Sequence, residues 1–227
     1  MTFDEWKLLA EQGIAEAQYN LALMYSRGEG ISRDDKEAVK WYRLAAEQGI
    51  AESQTNLGLM YGKGQGVEQD YKEAINWYRV AAQQGLAQAQ HNLAVMYGRG
   101  RGVAQDYQEA IKWFKLSAEQ GYAQAQYNLG MMCSRGEGTR RDDKEAAKWY
   151  RRAAEQGIAG AQSNLGLMYE KGQEFEQDYV QAHKWFNIAG VNGNAIGRRN
   201  ADIVEKKMTP GQIAVAVGLA REWMEKL

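Results

Sequence analysis

Apolar residues recur along this chain at three- and four-residue steps, and the steps themselves recur every thirty-six residues. Across 15–27 the apolar set is Ala17, Leu21, Met24 and Tyr25; after Asp34 it is Ala38, Trp41 and Ala45. Such spacing gathers side chains on one face of a helix. The stretch Ala10–Leu44 therefore predicts two helices, A over about 15–27 and B starting after Asp34. It returns from Ala46, Ala82, Ala118 and Ala154 without insertion, with Gly13, Gly49, Gly85, Gly121, Gly157 and Gly193 marking the register. One hairpin of this length cannot bury its own apolar face, so an all-α solenoid of antiparallel hairpins with a 36-residue period is expected.

Local chemistry marks the helix ends. Gly28, Gly64, Gly100, Gly136 and Gly172 follow helix A, where a left-handed residue commonly closes the last turn. Asp34, Asp70, Asp106, Asp142 and Asp178 precede helix B, with Glu37, Glu73, Glu109, Glu145 or Gln181 three residues on. That is a capping-box pattern: the aspartate accepts an orphan amide, and the third residue is expected to reach back to the cap. Residues 1–12 read as a half-repeat cap. Full repeats follow at 13–48, 49–84, 85–120, 121–156 and 157–192. A degenerate copy then fills the start of 193–227, and a last helix over about 210–226 begins with Thr209 as cap, Pro210 at its first position and Gln212 at its third.

The row Trp41, Trp77, Trp113, Trp149 and Trp185 reads as core, packed against small residues such as Ala17, Ala22, Gly58, Gly130 and Gly166. The row Met24, Met60, Met96, Met132 and Met168 reads the same way. Basic and acidic residues nearly balance at 28 and 29, which gives a nucleic-acid partner no support. No apolar run approaches the roughly eighteen residues that span a bilayer, so membrane insertion is not expected. Met1 leads into an acidic, polar segment without a basic start, and the single cysteine rules out an internal disulfide. A cytoplasmic setting follows as the expectation, or a periplasmic or secreted one if a leader has been removed.

The unit A-x-x-x-L-[AG]-x-x-Y-x-x-G-x-G, then D-x-x-x-A-x-x-W-x-x-x-A-A-x-x-G, resembles the Sel1-like repeat, a relative of the tetratricopeptide repeat. The closing segment Lys207–Lys226 is similar to the tail that follows such arrays in bacterial proteins. The resemblance implies a right-handed superhelix and a non-enzymatic adaptor that holds proteins together. Two positions depart from the pattern. Glu174 replaces the second loop glycine of the fifth repeat, which puts that loop's shape in doubt, and Cys133 stands where the other repeats carry tyrosine and reads as a buried space-filler.

Positions that vary between repeats are the candidates for contact with a protein or peptide. They fall on one face of helix A, which the tetratricopeptide pattern places along the concave groove. The set comprises Glu16, Gln88 and Gln124; Tyr19, Thr55, His91, Tyr127 and Ser163; Leu23, Leu59, Val95 and Met131; and Arg99 and Arg135. Beside them runs a constant row, Asn20, Asn56, Asn92, Asn128 and Asn164. Asparagine is a poor helix residue, so the row either holds a peptide main chain or bonds to the adjoining helix. A cation in the last turn of helix A, as at Arg27, Lys63, Arg99, Arg135 and Lys171, already complements the helix dipole. Arg99 and Arg135 stand out because they flank His91 and Tyr127. No catalytic constellation emerges: His91 and His183 lie on different helices, the glycine-rich loops lack the GK[ST] of a phosphate loop, and one cysteine with two histidines is a poor metal set. No cofactor is expected. An alternative reading is a structural or inhibitory module that associates through its ends or convex face.

Overall fold

A computed structural model describes residues 1–226, which form thirteen helices and no strand. The first, α1 (Phe3–Glu11), is the half-repeat. The A helices are α2 (Ala15–Arg27), α4 (Ala51–Lys63), α6 (Ala87–Arg99), α8 (Ala123–Arg135) and α10 (Ala159–Lys171). The B helices are α3 (Asp35–Glu47), α5 (Tyr71–Gln83), α7 (Tyr107–Glu119), α9 (Asp143–Glu155) and α11 (Tyr179–Val191). Then come α12 (Ala195–Glu205) and α13 (Pro210–Met224). The 36-residue repetition expected from the apolar pattern is present throughout.

The capping chemistry explains these limits, with one correction. Each glycine after helix A is left-handed, from φ 72° at Gly28 to φ 62° at Gly100. Asp34 accepts the amides of Lys36 and Glu37 at 2.9 and 3.1 Å, and Asp70 and Asp178 do the same for their helices. The expected return bond from Glu37 is not made. The Asp34 amide already donates to the Tyr25 carbonyl at 3.0 Å, closing the A–B loop. Glu37 instead accepts the Trp41 indole N–H at 3.1 Å, as Glu109 does for Trp113. Complete capping boxes occur at Thr2–Glu5 and Thr209–Gln212.

Contacts divide the chain into two compact units, Met1–Ser117 and Ala118–Leu227. Within the first, α1 packs on α2, and each helix from α2 to α5 packs on the next. Leu21, Leu57 and Leu93 are completely enclosed at its centre. Within the second, α8 to α12 pack in the same succession, and α13 closes over α11. Leu165, Ile188 and Phe186 are enclosed there.

The tryptophan row is core in part. Trp41, Trp149 and Trp185 are buried, while Trp77 and Trp113 are half-buried. Lysine ammonium groups lie over several of these rings, at 5.2 Å on Trp41 and 4.9 Å on Trp185. The ring that the small residues admit is a different one. A Cβ on Gly58 would come within 2.8 Å of the Tyr78 ring, one on Gly130 within 2.8 Å of Tyr150, and one on Gly166 within 2.6 Å of Phe186. Close approach at these glycines therefore serves the position after Trp77, Trp149 and Trp185.

A row that apolar periodicity does not reveal joins successive hairpins. Gln18, Gln54, Gln90, Gln126 and Gln162 are all buried. Their amides donate to the carbonyls of Ala10, Ala46, Ala82, Ala118 and Ala154 at 3.0–3.2 Å, near the C-terminus of the preceding helix. Those carbonyls belong to a last turn that has no partner within its own helix. The glutamine oxygens accept in turn, from Gln48 on Gln18 at 2.7 Å and from Gln84 on Gln54 at 2.8 Å. Both ends of a buried amide are thus paired, the condition for tolerating it inside.

Candidate functional site

The variable positions of helix A do not reach solvent equally. Glu16, Gln88, Gln124, Arg99 and Arg135 are exposed, and Leu23, Leu59, Val95 and Met131 are half-buried. The row through Tyr19 divides by size. Tyr19, His91 and Tyr127 are half-buried, their rings 6.2, 5.5 and 6.1 Å from Tyr42, Phe114 and Tyr150 of the same hairpin. Thr55 and Ser163 sink to 2% and 4% exposure. Thr55 spends its hydroxyl on the Ala51 carbonyl at 2.9 Å, so these two small residues offer a partner almost no surface. At the position of the fifth repeat equivalent to Glu16, Gly160 leaves room for a neighbour: a Cβ there would meet the Tyr127 ring at 2.8 Å.

Burial fixes the protonation states along this face. The Tyr19 phenol is raised by burial and by nearby Glu52, and Tyr42 and Tyr150 are raised by burial, so all three remain hydroxyl groups. The His91 imidazole is pulled down to about 4 by burial, with the Arg99 charge adding to the effect, and it is neutral near pH 7. Cys133 is buried, and burial with Glu145 and Asp142 nearby pushes its thiol up to about 11; it fills space and supplies no thiolate.

Every member of the asparagine row is half-buried. Asn20 donates to the Glu16 carbonyl at 2.7 Å within its helix. Asn56 reaches the hydroxyl of Tyr42, and Asn164 that of Tyr150, each on the preceding hairpin. Beside these amides the surface opens into clefts. One of about 340 Å³ is lined by Tyr19, Leu23, Arg27, Tyr42, Asn56 and Leu59 among others. Another of about 310 Å³ is lined by Met131, Arg135, Tyr150, Asn164, Leu167 and Lys171 among others. A narrower one of about 180 Å³ lies by Leu59, Tyr71, Asn92 and Val95.

Away from this face, His183 is buried with its Nε2 2.8 Å from Glu205 Oε1. Among the described residues no group of histidine, cysteine and carboxylate side chains is placed to hold a metal ion, and no helix is long and apolar enough to cross a membrane.

The Sel1 repeat model matches residues 15–50, 51–86, 87–122, 123–158 and 159–194. The chain belongs to the Sel1 repeat family. A Sel1 repeat protein from Oxalobacter formigenes shares its fold with a TM-score of 0.80 at 32% identity, covering 95% of this chain and 87% of that one. The immunity proteins Pa5087 and PA5088 from Pseudomonas aeruginosa share the fold at 21% and 19% identity, with TM-scores of 0.54 and 0.55. Each match covers 93% of this chain, and 80% and 82% respectively of those proteins. The chain has no match among curated proteins. Sel1 repeats generally form protein-interaction scaffolds without enzymatic activity.

Proposed function

We propose that this protein is a non-enzymatic adaptor that holds a protein or peptide segment against the face formed by its A helices. One observation carries the reading: several of the positions that differ between repeats line surface clefts, together with the constant asparagines. Tyr19, Leu23, Leu59 and Gln88 line one, Met131, Arg135 and Leu167 another, and Val95 a third. Half-buried aromatic rings and arginines beside such clefts are the groups that dominate binding energy. The test replaces Tyr19, His91 and Tyr127 together by Thr, which the same helical position carries at Thr55. Proteins retained from the native host by the wild-type chain should be lost by the triple variant, while its helical signal and cooperative unfolding persist despite the stability lost with three packed rings. Unchanged retention refutes the assignment of this face.

A second reading rests on a separate surface. Leu8, Leu44, Val80 and Leu116 occupy one register of α1, α3, α5 and α7, and are 58%, 37%, 43% and 41% exposed. The matching Ile188 of α11 is fully buried, and α11 is the helix on which α13 packs. An uncovered apolar row of this kind suits association with another chain. Mass measured by light scattering over a range of concentrations separates self-association from a monomeric adaptor.

A further inference from the structure

The loops after α2 and α8 are near copies of each other and differ from the remaining three. Ser26-Arg27-Gly28-Glu29-Gly30 and Arg33-Asp34-Asp35 return, three repeats later, as Ser134-Arg135-Gly136-Glu137-Gly138 and Arg141-Asp142-Asp143. In the other loops Gln69, Gln105 and Gln177 replace that second arginine, and Tyr71, Tyr107 and Tyr179 replace the last aspartate. The two chemistries do different things. Gln69, Gln105 and Gln177 turn inward, each donating to a last-turn carbonyl of its own A helix at 2.8 Å. Arg33 forks onto Asp35 through Nε and Nη2 at 2.9 and 2.8 Å, and Arg141 repeats the fork on Asp143 at the same two distances.

The clefts follow the loops. At the Asp35 loop the cleft holds about 340 Å³ and at the Asp143 loop about 310 Å³, but where Tyr71 takes the aspartate's place only about 180 Å³ remains. The two larger clefts share ten lining positions, from Leu23 and Met131 to Gln65 and Gln173, while Tyr19 and Gln88 line only the first and Lys171 only the second. Ser26 and Ser134 bond the Tyr42 and Tyr150 hydroxyls at 3.2 and 3.0 Å, and Asn56 and Asn164 reach the same hydroxyls. Each lies within one compact unit.

We propose that these are twin subsites, each receiving a carboxylate side chain of an acidic peptide segment, so that one chain binds two peptides. This rests on the adaptor reading above and adds to it a ligand chemistry and a stoichiometry. Arginine has five N–H groups in a rigid fork, and the aspartate takes two, leaving three held in a fixed direction at the cleft. Arg27 and Arg135 add a second cation; each is exposed and has its acidic neighbour, Glu29 or Glu137, only at 3.5 Å. An exposed pair of that kind is worth at most about 1 kcal/mol and exchanges readily for a ligand carboxylate. Lining charges sum in favour of cations in both clefts: Arg27 and Arg33 against Asp35, and Arg135, Arg141 and Lys171 against Asp143. Leu23 with Leu59, and Met131 with Leu167, supply an apolar surface for the rest of the peptide.

The array itself supplies fold-neutral variants. Arg33→Gln with Asp35→Tyr rewrites the first loop as the second and third repeats already have it, and Arg141→Gln with Asp143→Tyr does so for the fourth. A randomised peptide library is selected on the full chain, and a selected peptide is then synthesised and titrated by calorimetry. Asp or Glu should be enriched at one fixed position, and two peptides should bind per chain. Either loop exchange should lower the stoichiometry to one, and both together should weaken binding by at least about tenfold, with melting temperatures near wild type. Selected peptides without an acidic residue, a wild-type stoichiometry of one, or two sites that survive both exchanges would each overturn the proposal, as would failure to select any peptide. If the loop exchanges leave binding intact while the triple threonine variant of Tyr19, His91 and Tyr127 removes it, the twin subsites fall and the adaptor face stands. If neither affects binding, both fall.

Discussion

The second and fifth repeats build the same A–B loop from different residues at its tightest point. In the second, Gly66 takes φ 68°; in the fifth, Glu174 takes φ 64°. The surrounding bonds are alike. Gln65 and Gln173 donate to the Met60 and Met168 carbonyls, Asp70 and Asp178 to those of Tyr61 and Tyr169, all at 2.9–3.0 Å. Gln69 and Gln177 tie the loop to helix A at 2.8 Å in both. The doubt that Glu174 raised about this loop is resolved: the flanking bonds set the backbone, and the side chain tolerates it. A non-glycine residue in the left-handed region costs about 1 kcal/mol. The fifth repeat carries an offset that the second lacks, since Phe175 stacks on Tyr169 at 4.4 Å and the Arg151 guanidinium lies 5.5 Å from the Phe175 ring. The lesson is that one backbone conformation can be demanded by space in one repeat and merely endured in another. A Cβ at Gly66 would lie 2.1 Å from the Asp35 carbonyl oxygen, whereas Glu174 is exposed.

Three substitutions break or sharpen that contrast. Gly66→Ala should cost the most, about 3 kcal/mol or more by urea unfolding, because it adds positive-φ strain to a collision with backbone that cannot rotate away. A loss below about 1 kcal/mol would mean that the first two hairpins separate easily. Phe175→Val, the residue found at Val67 and Val103, should cost about 1–2 kcal/mol by removing the stacked ring. Glu174→Gly should move the other way, raising stability by about 0.5–1 kcal/mol as the strain is relieved. No gain in the same unfolding experiment would show that Glu174 has a compensating contact.

Most of the fold was legible because its boundaries depend on local chemistry. Left-handed glycines and aspartate caps act within a turn of themselves, and the A helices end where those residues stand. What needed the structure depends on distant neighbours. The return bond of the capping box fails because the Asp34 amide is claimed by Tyr25, nine positions back. The glutamine row passes for ordinary solvent-facing polarity until the carbonyl of the preceding helix is seen opposite it; its constancy at Gln18, Gln54, Gln90, Gln126 and Gln162 was the available signal. At the candidate site, comparison of repeats located the variable face, but side-chain depth separates Tyr19 from Thr55, and depth is set by packing. The kinship of the first and fourth loops stood in the sequence at a spacing of three repeats. Comparing all five units at once averages it away.

The glutamine bonds carry a consequence for how such a chain can change length. Gln18 bonds eight residues back to Ala10, and Gln48 bonds thirty residues back to Gln18 and thirty-five back to Gly13. All three separations are shorter than one period. A recombination event that duplicates or deletes thirty-six residues, wherever its breakpoint falls, restores each donor opposite an equivalent acceptor. An event whose length is not a multiple of thirty-six strands a buried amide at the junction. The bonding pattern thus works as a reading frame written in the third dimension, and it lets the array grow or shrink only by whole words.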